Sequence, residues 1–382
     1  MTAIHLNGFG LHTTLGRGFD ANIDALAGEL RAPREVPVQF GNEERGVPYY
    51  LLADAPLEDF EARFEDVVHG VIAEAIDTSG LTRSERRSMG IFVGSSCGEM
   101  PVLEAQYRHN LSLSNDALPM LQTSSLGNLA NRLREPFGIQ GPDYSFYTAC
   151  TASANALLAA AKMVRAGKLE HAIVVGVETF NAFTALGFSG LQLITHDIMR
   201  PFDTRRAGLV PGEGCAAVVI SAAPNGHDWT LAGGAQLCDT HSISATNPDG
   251  SAIAEVIHQA TGASGVPIEE IAALKMHGTA SLLNDEAEVA ALRLVFSAAP
   301  ALCALKPFIG HTYGACGIVE LALFCGFVGQ GRLPATPGVC AQESDLHVVL
   351  NQVTGPQAPG KFMLNYFGFG GSNTSLILAN DA

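Results

Sequence analysis

Cys150 is the residue of this chain best placed to act as a nucleophile. An extended, aromatic-rich segment leads up to it and a run of small residues with helical character follows, which predicts a strand-to-helix turn. The positive end of a helix dipole favours a thiolate, so we expect the pKa of Cys150 to be lowered. A buried cysteine that only packs is the competing interpretation, and the position alone leaves both open.

Two histidines downstream could work with such a thiol. His277 follows a strand-like run in the segment His-Gly-Thr, and His311 stands at a helix start in Gly-His-Thr-Tyr-Gly-Ala. A helix dipole disfavours an imidazolium, so His311 is expected to be neutral and able to donate an N–H to a developing oxyanion. The hydroxyl groups of Thr279 and Ser281 could bind a polar ligand tail. The plain alternative for His311 is a histidine that only packs at a helix start. For the segment that begins at His277, it is a capped turn before a helix.

Further residues could support these groups. Lys306 lies in an apolar, glycine-rich run, where a charge needs a partner, and Glu320 and Asp285 are the candidates. Asn284 or Asp285 is also expected to cap the helix after the His-Gly-Thr segment. Phe369 lies in a glycine-rich turn whose N–H groups could form half of an oxyanion hole, although a hairpin would explain the same residues.

The elements that must position these residues alternate between strand-like and helical patterns, which favours an α/β fold with largely parallel, buried strands. Residues 31–48, with charges and three prolines, are interpreted as an irregular surface segment. The expected strands cover residues 90–94, 172–177, 215–221, 274–277 and 375–379, and the expected helices cover residues 153–166 and 285–296.

A weak internal repeat relates two halves of the chain. Cys150 and His311 each precede an apolar helix of small residues, so they take corresponding places. If the halves pack about a pseudo-twofold axis, the two helix starts converge on one site. The turn at residues 222–229 contains Pro, Asn and Gly, and it predicts a boundary that gives halves of residues 1–225 and 226–382.

Composition excludes some functions. The 382 residues carry a net charge of −16 at pH 7, which argues against binding to nucleic acid or to an anionic membrane. The eight cysteines form no Cys-x-x-Cys pair, so no zinc site or other metal site is expected. Their apolar surroundings are typical of a reducing compartment. With no signal peptide and no membrane span in the pattern, the protein is expected to be cytoplasmic.

Together, five motifs resemble those of the β-ketoacyl-acyl-carrier-protein synthases of the thiolase superfamily, in the elongating branch with a Cys-His-His triad. Ala152, Ser281, Leu282 and Cys316 depart from the family's usual residues, but none of these changes removes a group that the reaction needs. The motifs are Thr-Ala-Cys150-Thr-Ala-Ser, residues 200–214, His277-Gly-Thr-Ala-Ser-Leu-Leu-Asn-Asp, Lys306-Pro-Phe-Ile-Gly-His311 and Asn365-Tyr-Phe-Gly-Phe369-Gly-Gly.

The resemblance implies a thiolase-like five-layer αβαβα fold and a decarboxylative condensation with a malonyl thioester. It implies an acyl carrier protein as partner, substrates on phosphopantetheine with no separate cofactor, and a homodimer or a heterodimer with a sister synthase. The roles that it implies are the acyl-carrying nucleophile for Cys150, enolate stabilisation for His277 and His311, charge organisation for Lys306 with Asp285 and Glu320, pantetheine binding for Thr279 and Ser281, and oxyanion binding and gating for Phe369.

A second interpretation is a subunit like a chain length factor, which shapes the product cavity of a sister synthase. Such subunits usually lack the nucleophile, so the retained triad favours an enzyme. The divergent first 85 residues keep the alternative open. The residue His311 and the tail around Phe369 disfavour a degradative thiolase.

Phe183 and Phe188 are candidates for the end of an acyl tunnel, and core packing is the plain alternative for both.

Overall fold

The structure is a computed structural model that describes residues 3–28, 30–113, 126–225, 228–339, 346 and 348–380. Its strands are β1 (Ile4–Thr13), β2 (Gly16–Arg17), β3 (Arg34–Phe40), β4 (Glu43–Tyr49), β5 (Gly90–Gly94), β6 (Asp143–Phe146), β7 (His171–Glu178), β8 (Gly214–Ser221), β9 (Trp229–Cys238), β10 (Ile271–Lys275), β11 (Ala301–Cys303), β12 (Arg332–Leu333), β13 (Gly355–Pro356), β14 (Gly360–Phe367) and β15 (Ser372–Asn380). Its helices are α1 (Phe19–Leu26), α2 (Phe60–Thr78), α3 (Arg83–Ser88), α4 (Met100–Leu113), α5 (Leu129–Arg134), α6 (Ala152–Arg165), α7 (Ala182–Gly190), α8 (Ser251–Ser264), α9 (Leu282–Val295), α10 (Lys306–Ile309) and α11 (Cys316–Gly329).

Two sets of five strands share one topology. The first set has the order β6-β5-β7-β8-β1 and the second has the order β11-β10-β14-β15-β9. In each set the first three strands are parallel and the last two pairings are antiparallel. The prediction of largely parallel strands is therefore wrong, because β8 and β15 each run antiparallel to both of their neighbours in the set. A short pairing of β1 with β9 joins the two sets.

The helices form three layers around these two sets of strands. Helices α6 and α11 lie between the sets, and their side chains build the central core with the inner faces of both. Helices α2, α4 and α5 cover the outer face of the first set, and α8 and α9 cover the outer face of the second. The sequence of layers is helix, sheet, helix, sheet, helix, so the expected five-layer arrangement is confirmed.

All five expected strands are present, and their ends lie within three residues of the predicted ones. Two other expectations are wrong. The segment 31–48 holds the hairpin β3–β4, whose buried Val36 and Val38 alternate with exposed neighbours and pack near α7. The prolines and charges of this segment hide that alternation. Helix α9 begins three residues before Asp285, with Ser281 as its N-cap residue.

The predicted boundary between the halves falls next to residues 226 and 227, which lie outside the described residues, and it stays a prediction. Strands β8 and β9, on either side of it, belong to different sets. Within the described ranges, no helix combines the length and the apolar character that a bilayer crossing requires.

Candidate active site

Cys150 lies in a single 3-10 turn, Ala149–Thr151, between β6 and α6. Ala149 has a φ of 48°, a left-handed conformation that bends the chain sharply before the helix. Tyr313 repeats this feature before α11 with a φ of 42°. The residue that corresponds to Cys150 in the second half is therefore Gly314. The prediction that placed His311 there is off by three residues.

The starts of α6 and α11 touch each other, as the repeat predicted. A Cβ atom on Gly317 would overlap the backbone nitrogen of Ala154, so only glycine allows this approach. The thiol of Cys316, on the same turn, lies 2.9 Å from the carbonyl oxygen of Cys150 and donates to it. This contact brings the chain around His311 against the turn that carries the thiol.

His311 faces Cys150 directly. Its Nε2 atom lies 3.2 Å from the sulfur, and its Nδ1 atom accepts the backbone N–H of Tyr313 at 3.2 Å. A neutral imidazole carries one proton, so the acceptor role of Nδ1 assigns the proton to Nε2. Burial, together with the charge of Lys306, holds the pKa of His311 well below its usual range. The ring is thus a neutral N–H donor beside the thiol.

His277 has the same tautomer for a different reason. The ammonium of Lys306 lies 3.3 Å from Nδ1 of His277, which places the ring proton on Nε2. Burial and the charge of Lys306 hold the pKa of His277 well below its usual range. The rings of His277 and His311 are 5.6 Å apart, nearly perpendicular, and both line the cavity that contains Cys150.

The predicted lowering of the Cys150 pKa is wrong. Burial raises the pKa of this thiol to about 11, although the charge of Lys306 and the N–H groups of Phe369 and Cys150 act in the opposite direction. Helix-dipole effects are typically only about 0.3–1 kcal/mol, so desolvation outweighs the position at a helix start. The turn with Phe369 packs against Cys150, since a Cβ atom on Gly368 would lie 3.1 Å from the Cys150 nitrogen.

Of the two acidic residues predicted to be partners of Lys306, only one contacts it. Glu320 accepts a hydrogen bond from Lys306 at 2.6 Å, as predicted. Asp285 does not contact Lys306: its carboxylate accepts the backbone N–H of Phe202 at 2.8 Å, and burial raises its pKa to about 7. Because Asp285 lies one turn inside α9, it faces the segment around Phe202. The prediction of a supporting charge beside Lys306 is therefore wrong for Asp285.

Two charged residues of the site were missed by the sequence analysis. Glu288 accepts the backbone N–H groups of His277 at 2.7 Å and of Gly278 at 3.0 Å. Lys275 shares Glu320 with Lys306, at 2.5 Å from the second carboxylate oxygen. The rule that singled out Lys306, a charge in an apolar run, also applies to Lys275 at the end of β10.

The cavity beside Cys150 has a volume of about 310 Å³. Thr279 and Ser281 both line it, with their hydroxyl oxygens 2.9 Å apart. Phe188 also lines it and stacks on Phe369 at 5.6 Å, whereas Phe183 is 68% exposed and lies outside. In the part of the chain that the structure describes, no group of three or more His, Cys, Asp or Glu side chains could hold a metal ion.

Known proteins resemble this chain over most of its length. The family profiles "Beta-ketoacyl synthase, N-terminal domain" and "Beta-ketoacyl synthase, C-terminal domain" match residues 62–225 and 230–339. The 3-oxoacyl-[acyl-carrier-protein] synthase I, chloroplastic, of Arabidopsis thaliana is 26% identical, over 97% of this chain and 85% of that protein. The 3-oxoacyl-[acyl-carrier-protein] synthase 2 of Synechocystis sp. is 28% identical, over 79% of this chain and 78% of that protein.

A solved structure has the same fold. It is the complex of a ketosynthase with its chain length factor from Xenorhabdus doucetiae, in which the matching chain is 23% identical with a TM-score of 0.88. The match covers 99% of this chain and 98% of that chain. The fold, the two profiles and the grouping of a thiol with two histidines all indicate the same family. This chain belongs to the β-ketoacyl synthase family, a family of acyl-transferring condensing enzymes.

Proposed function

We propose that this protein is a 3-oxoacyl-[acyl-carrier-protein] synthase that condenses an acyl group, held on Cys150, with a malonyl thioester. One observation carries the proposal. The rings of His277 and His311, both neutral and both with the proton on Nε2, line the cavity of Cys150. Two such donors suit an oxygen on which negative charge develops, as it does when a malonyl thioester loses CO₂.

The first half-reaction moves the acyl group to the enzyme. Cys150 loses its proton and the thiolate attacks the thioester carbonyl, so that the new S–C bond forms. The old S–C bond then breaks and releases the pantetheine thiolate, which takes up the proton that Cys150 lost. The backbone N–H groups of Cys150 and Phe369 are directed toward the Cys150 sulfur, where they lower the pKa of the thiol. We expect the same two groups to bind the oxyanion of the tetrahedral intermediate.

The second half-reaction forms the carbon–carbon bond. As the malonyl group loses CO₂, the electron pair of the broken C–C bond becomes an enolate, whose oxygen accepts the Nε2–H groups of His277 and His311. The enolate carbon then attacks the acyl carbonyl on Cys150, and the thiolate leaves. The histidines act as donors, so they need to be neutral, and burial with the charge of Lys306 keeps them so.

The cavity opens near the start of α9. Leu282 and Leu283 line it and are each 56% exposed, while Thr279 and Ser281 line its wall. We propose that the phosphopantetheine arm of an acyl carrier protein enters here and bonds the two hydroxyl groups. Since the arm arrives with the substrate and the triad supplies the chemistry, the proposed reaction uses no separate cofactor.

A dimer is part of the proposal. Strand β6 is the last strand of its set, with β5 as its partner on one side among the described residues, and Tyr144 on it is 45% exposed. An open edge with an exposed aromatic residue is a surface that pairing with another chain would cover.

A cytoplasmic location also stays a prediction, supported by the apolar surroundings of most of the cysteines.

The decisive experiment follows both half-reactions. Purified protein is incubated with acyl-carrier protein, and intact mass spectrometry detects the acyl adduct, which peptide mapping assigns to Cys150. Malonyl-carrier protein is then added and the 3-oxo product is measured. We expect the adduct and the product with the wild-type chain and neither with Cys150→Ala. Full condensation by the Cys150→Ala variant would overturn the mechanism.

A non-catalytic subunit, like a chain length factor, is the second candidate. The observation behind it is a likeness in fold, at 23% identity, to a chain from a ketosynthase–chain length factor complex. The same assay separates the candidates. Two results together would support the subunit and not the enzyme. The chain on its own would never form acyl-Cys150, and its addition to a co-purified synthase would lengthen the acyl product of that synthase.

A further inference from the structure

Lys275 is a second, completely buried ammonium group behind the active site. It lies at the end of β10, two residues before His277, and its side chain has no exposed surface. A buried lysine is costly unless its charge is paired and its N–H groups are bonded. The surroundings of Lys275 therefore indicate what the residue is for.

All three donors of this ammonium meet an electron-rich partner. The Nζ atom lies 2.5 Å from Oε2 of Glu320, 2.8 Å from the carbonyl oxygen of Asn365, and 3.7 Å from the ring centre of Tyr366. A carboxylate, a carbonyl and an aromatic face are the partners that a protonated amine prefers. These partners stabilise the charged form of Lys275 against the burial that lowers its pKa.

Lys275 also limits which carboxylate oxygens of Glu320 can bind Lys306. With Oε2 occupied by Lys275, the ammonium of Lys306 binds only Oε1, at 2.6 Å. Without Lys275, both oxygens would be open to Lys306. An ammonium that bridges both oxygens of a buried carboxylate would move toward the carboxylate and away from other acceptors.

We propose that Lys275 is a positioning residue that occupies one oxygen of the Glu320 carboxylate and so confines Lys306 to the other. Lys306 is thereby held with an N–H directed at Nδ1 of His277, which keeps the His277 proton on Nε2, toward the substrate. The two ammonium groups around one carboxylate also leave an excess positive charge, which opposes protonation of the ring. This inference rests on the proposed role of His277 as a donor to the enolate.

The charged and titratable groups around His277 come from several elements. His311 faces the ring, and the carboxylate of Glu288 on α9 binds the backbone behind it. Burial and the charges of Lys306, His311 and Lys275 all lower the pKa of His277. The charged and titratable groups on the elements around His277 are Lys306 on α10, Glu320 on α11, Glu288 and Asp285 on α9, Lys275 on β10, His311, and Cys150 across the cavity. Lys275 and Glu320 both support the Lys306 contact, and neither of them lines the cavity.

The test compares the full-length wild type with Lys275→Met and Lys275→Gln. The release of CO₂ from malonyl-carrier protein is measured between pH 5 and pH 8.5. With Lys275→Met we expect the acid limb of the rate to move up by roughly one pH unit, the low end of the effect of a nearby charge. With Lys275→Gln the shift should be smaller, since the amide N–H groups can still occupy Oε2 of Glu320. Lys168→Met, at an exposed lysine, is the matched control.

A second measurement does not depend on activity. The ¹⁵N shifts of His277 report its tautomer, which we expect to be Nε2–H in the wild type and mixed in Lys275→Met. The near-UV circular dichroism of the variants should match that of the wild type, which a general loss of structure would not allow. If Lys275→Met does not fold, Lys275→Gln carries the test.

The outcomes separate the two proposals. Wild-type tautomer and wild-type pH profile in the folded Lys275 variants would overturn the role of Lys275. A wild-type protein that forms neither acyl-Cys150 nor the 3-oxo product would overturn the proposed function, while the tautomer measurement would still decide on Lys275.

Discussion

The Nε2 atom of His311 lies 3.2 Å from the sulfur of Cys150, and Nδ1 of the same ring already accepts a backbone N–H. In this tautomer His311 donates to the sulfur and has no free nitrogen to take the thiol proton. The pair therefore differs from a cysteine–histidine ion pair, in which an imidazolium lowers the thiol pKa. The thiol of Cys150 is therefore mostly protonated at neutral pH.

Alkylation of Cys150 by iodoacetamide should therefore be slow at pH 7 and should rise with pH up to about 11, the value to which burial raises the thiol pKa. Only the thiolate reacts, so below that pKa the rate should increase about tenfold per pH unit. Lys306→Met removes a charge that lowers this pKa, and the rate at any given pH should fall. Quenched-flow alkylation followed by peptide mass spectrometry measures both effects.

The exposed Cys238 serves as a reference thiol in the same digest. Cys150→Ala confirms which peptide carries the label. A rate at Cys150 that reaches its plateau below pH 9 would mean that the N–H donors around the sulfur outweigh its burial, contrary to the geometry described above.

Glu288 should couple stability to pH. Burial raises its pKa to about 7 from an ordinary value of 4.5. A raised carboxyl pKa means that the folded state binds more protons in this window, so the contribution of Glu288 to stability is full below pH 4.5 and is lost as the pH rises toward 7. Glu288→Gln removes this titration. The difference in unfolding free energy, wild type minus variant, should fall with rising pH, by at most about 1.4 kcal/mol per unit.

Urea unfolding of both proteins between pH 5.5 and 7 measures this slope. Glu288→Gln should also slow decarboxylation, because an amide cannot accept the N–H groups of both His277 and Gly278. Parallel stability curves would contradict the prediction, and so would a variant that decarboxylates at the wild-type rate.

Phe188 should set the length of the acyl group that the cavity accepts. Its ring packs between Phe369 at 5.6 Å and Tyr313 at 4.8 Å, and it lines the cavity. Phe188→Ala opens space beside the thiol, so kcat/KM should shift toward longer or branched acyl groups. Each methylene in such a pocket changes specificity by about 1–3 kcal/mol. Steady-state rates with a series of acyl-carrier proteins measure the shift.

Phe183→Ala, at a residue of the same helix outside the cavity, is the matched control and should leave the chain-length preference unchanged. An identical preference in Phe188→Ala and the wild type would show that the end of the tunnel lies elsewhere.

The sequence was informative where chemistry is carried by a short motif. The internal repeat predicted that the chain segments of Cys150 and His311 converge, and the resemblance of the motifs added His277 to the same site. Buried strands such as β5 and β7 are continuous apolar runs, and these are recognisable without a structure.

The remainder depends on tertiary distances that no local pattern encodes. Glu288 and Lys275 act on His277 from separate elements, and their partners are known only once β10, α9 and α11 are packed. The pKa of Cys150 depends on how deeply the turn is buried, which outweighs the position at a helix start. The hairpin β3–β4 was missed because its prolines and charges conceal the alternating valines.

Gly317 should be a residue on which both stability and catalysis depend. It allows α11 to approach α6 so closely that a Cβ atom would overlap the backbone of Ala154. Gly317→Ala would push the helices apart, and because the segment before α11 carries His311, the distance between its ring and the Cys150 sulfur would grow. Overpacking of this kind typically costs about 1–3 kcal/mol. Condensation should fall in the same variant, since a small misplacement of a catalytic group is expensive.

The control is Gly262→Ala, at a glycine inside α8 whose Cβ atom would meet nothing within 4 Å. That change should stabilise the protein by about 0.4–1 kcal/mol, because it removes backbone freedom from the unfolded chain without adding strain. Thermal unfolding and the condensation rate of the two variants, measured side by side, separate an effect of the helix contact from the general cost of replacing a glycine. Equal stability and equal activity in both variants would contradict the argument that the contact of α6 with α11 holds His311 against Cys150.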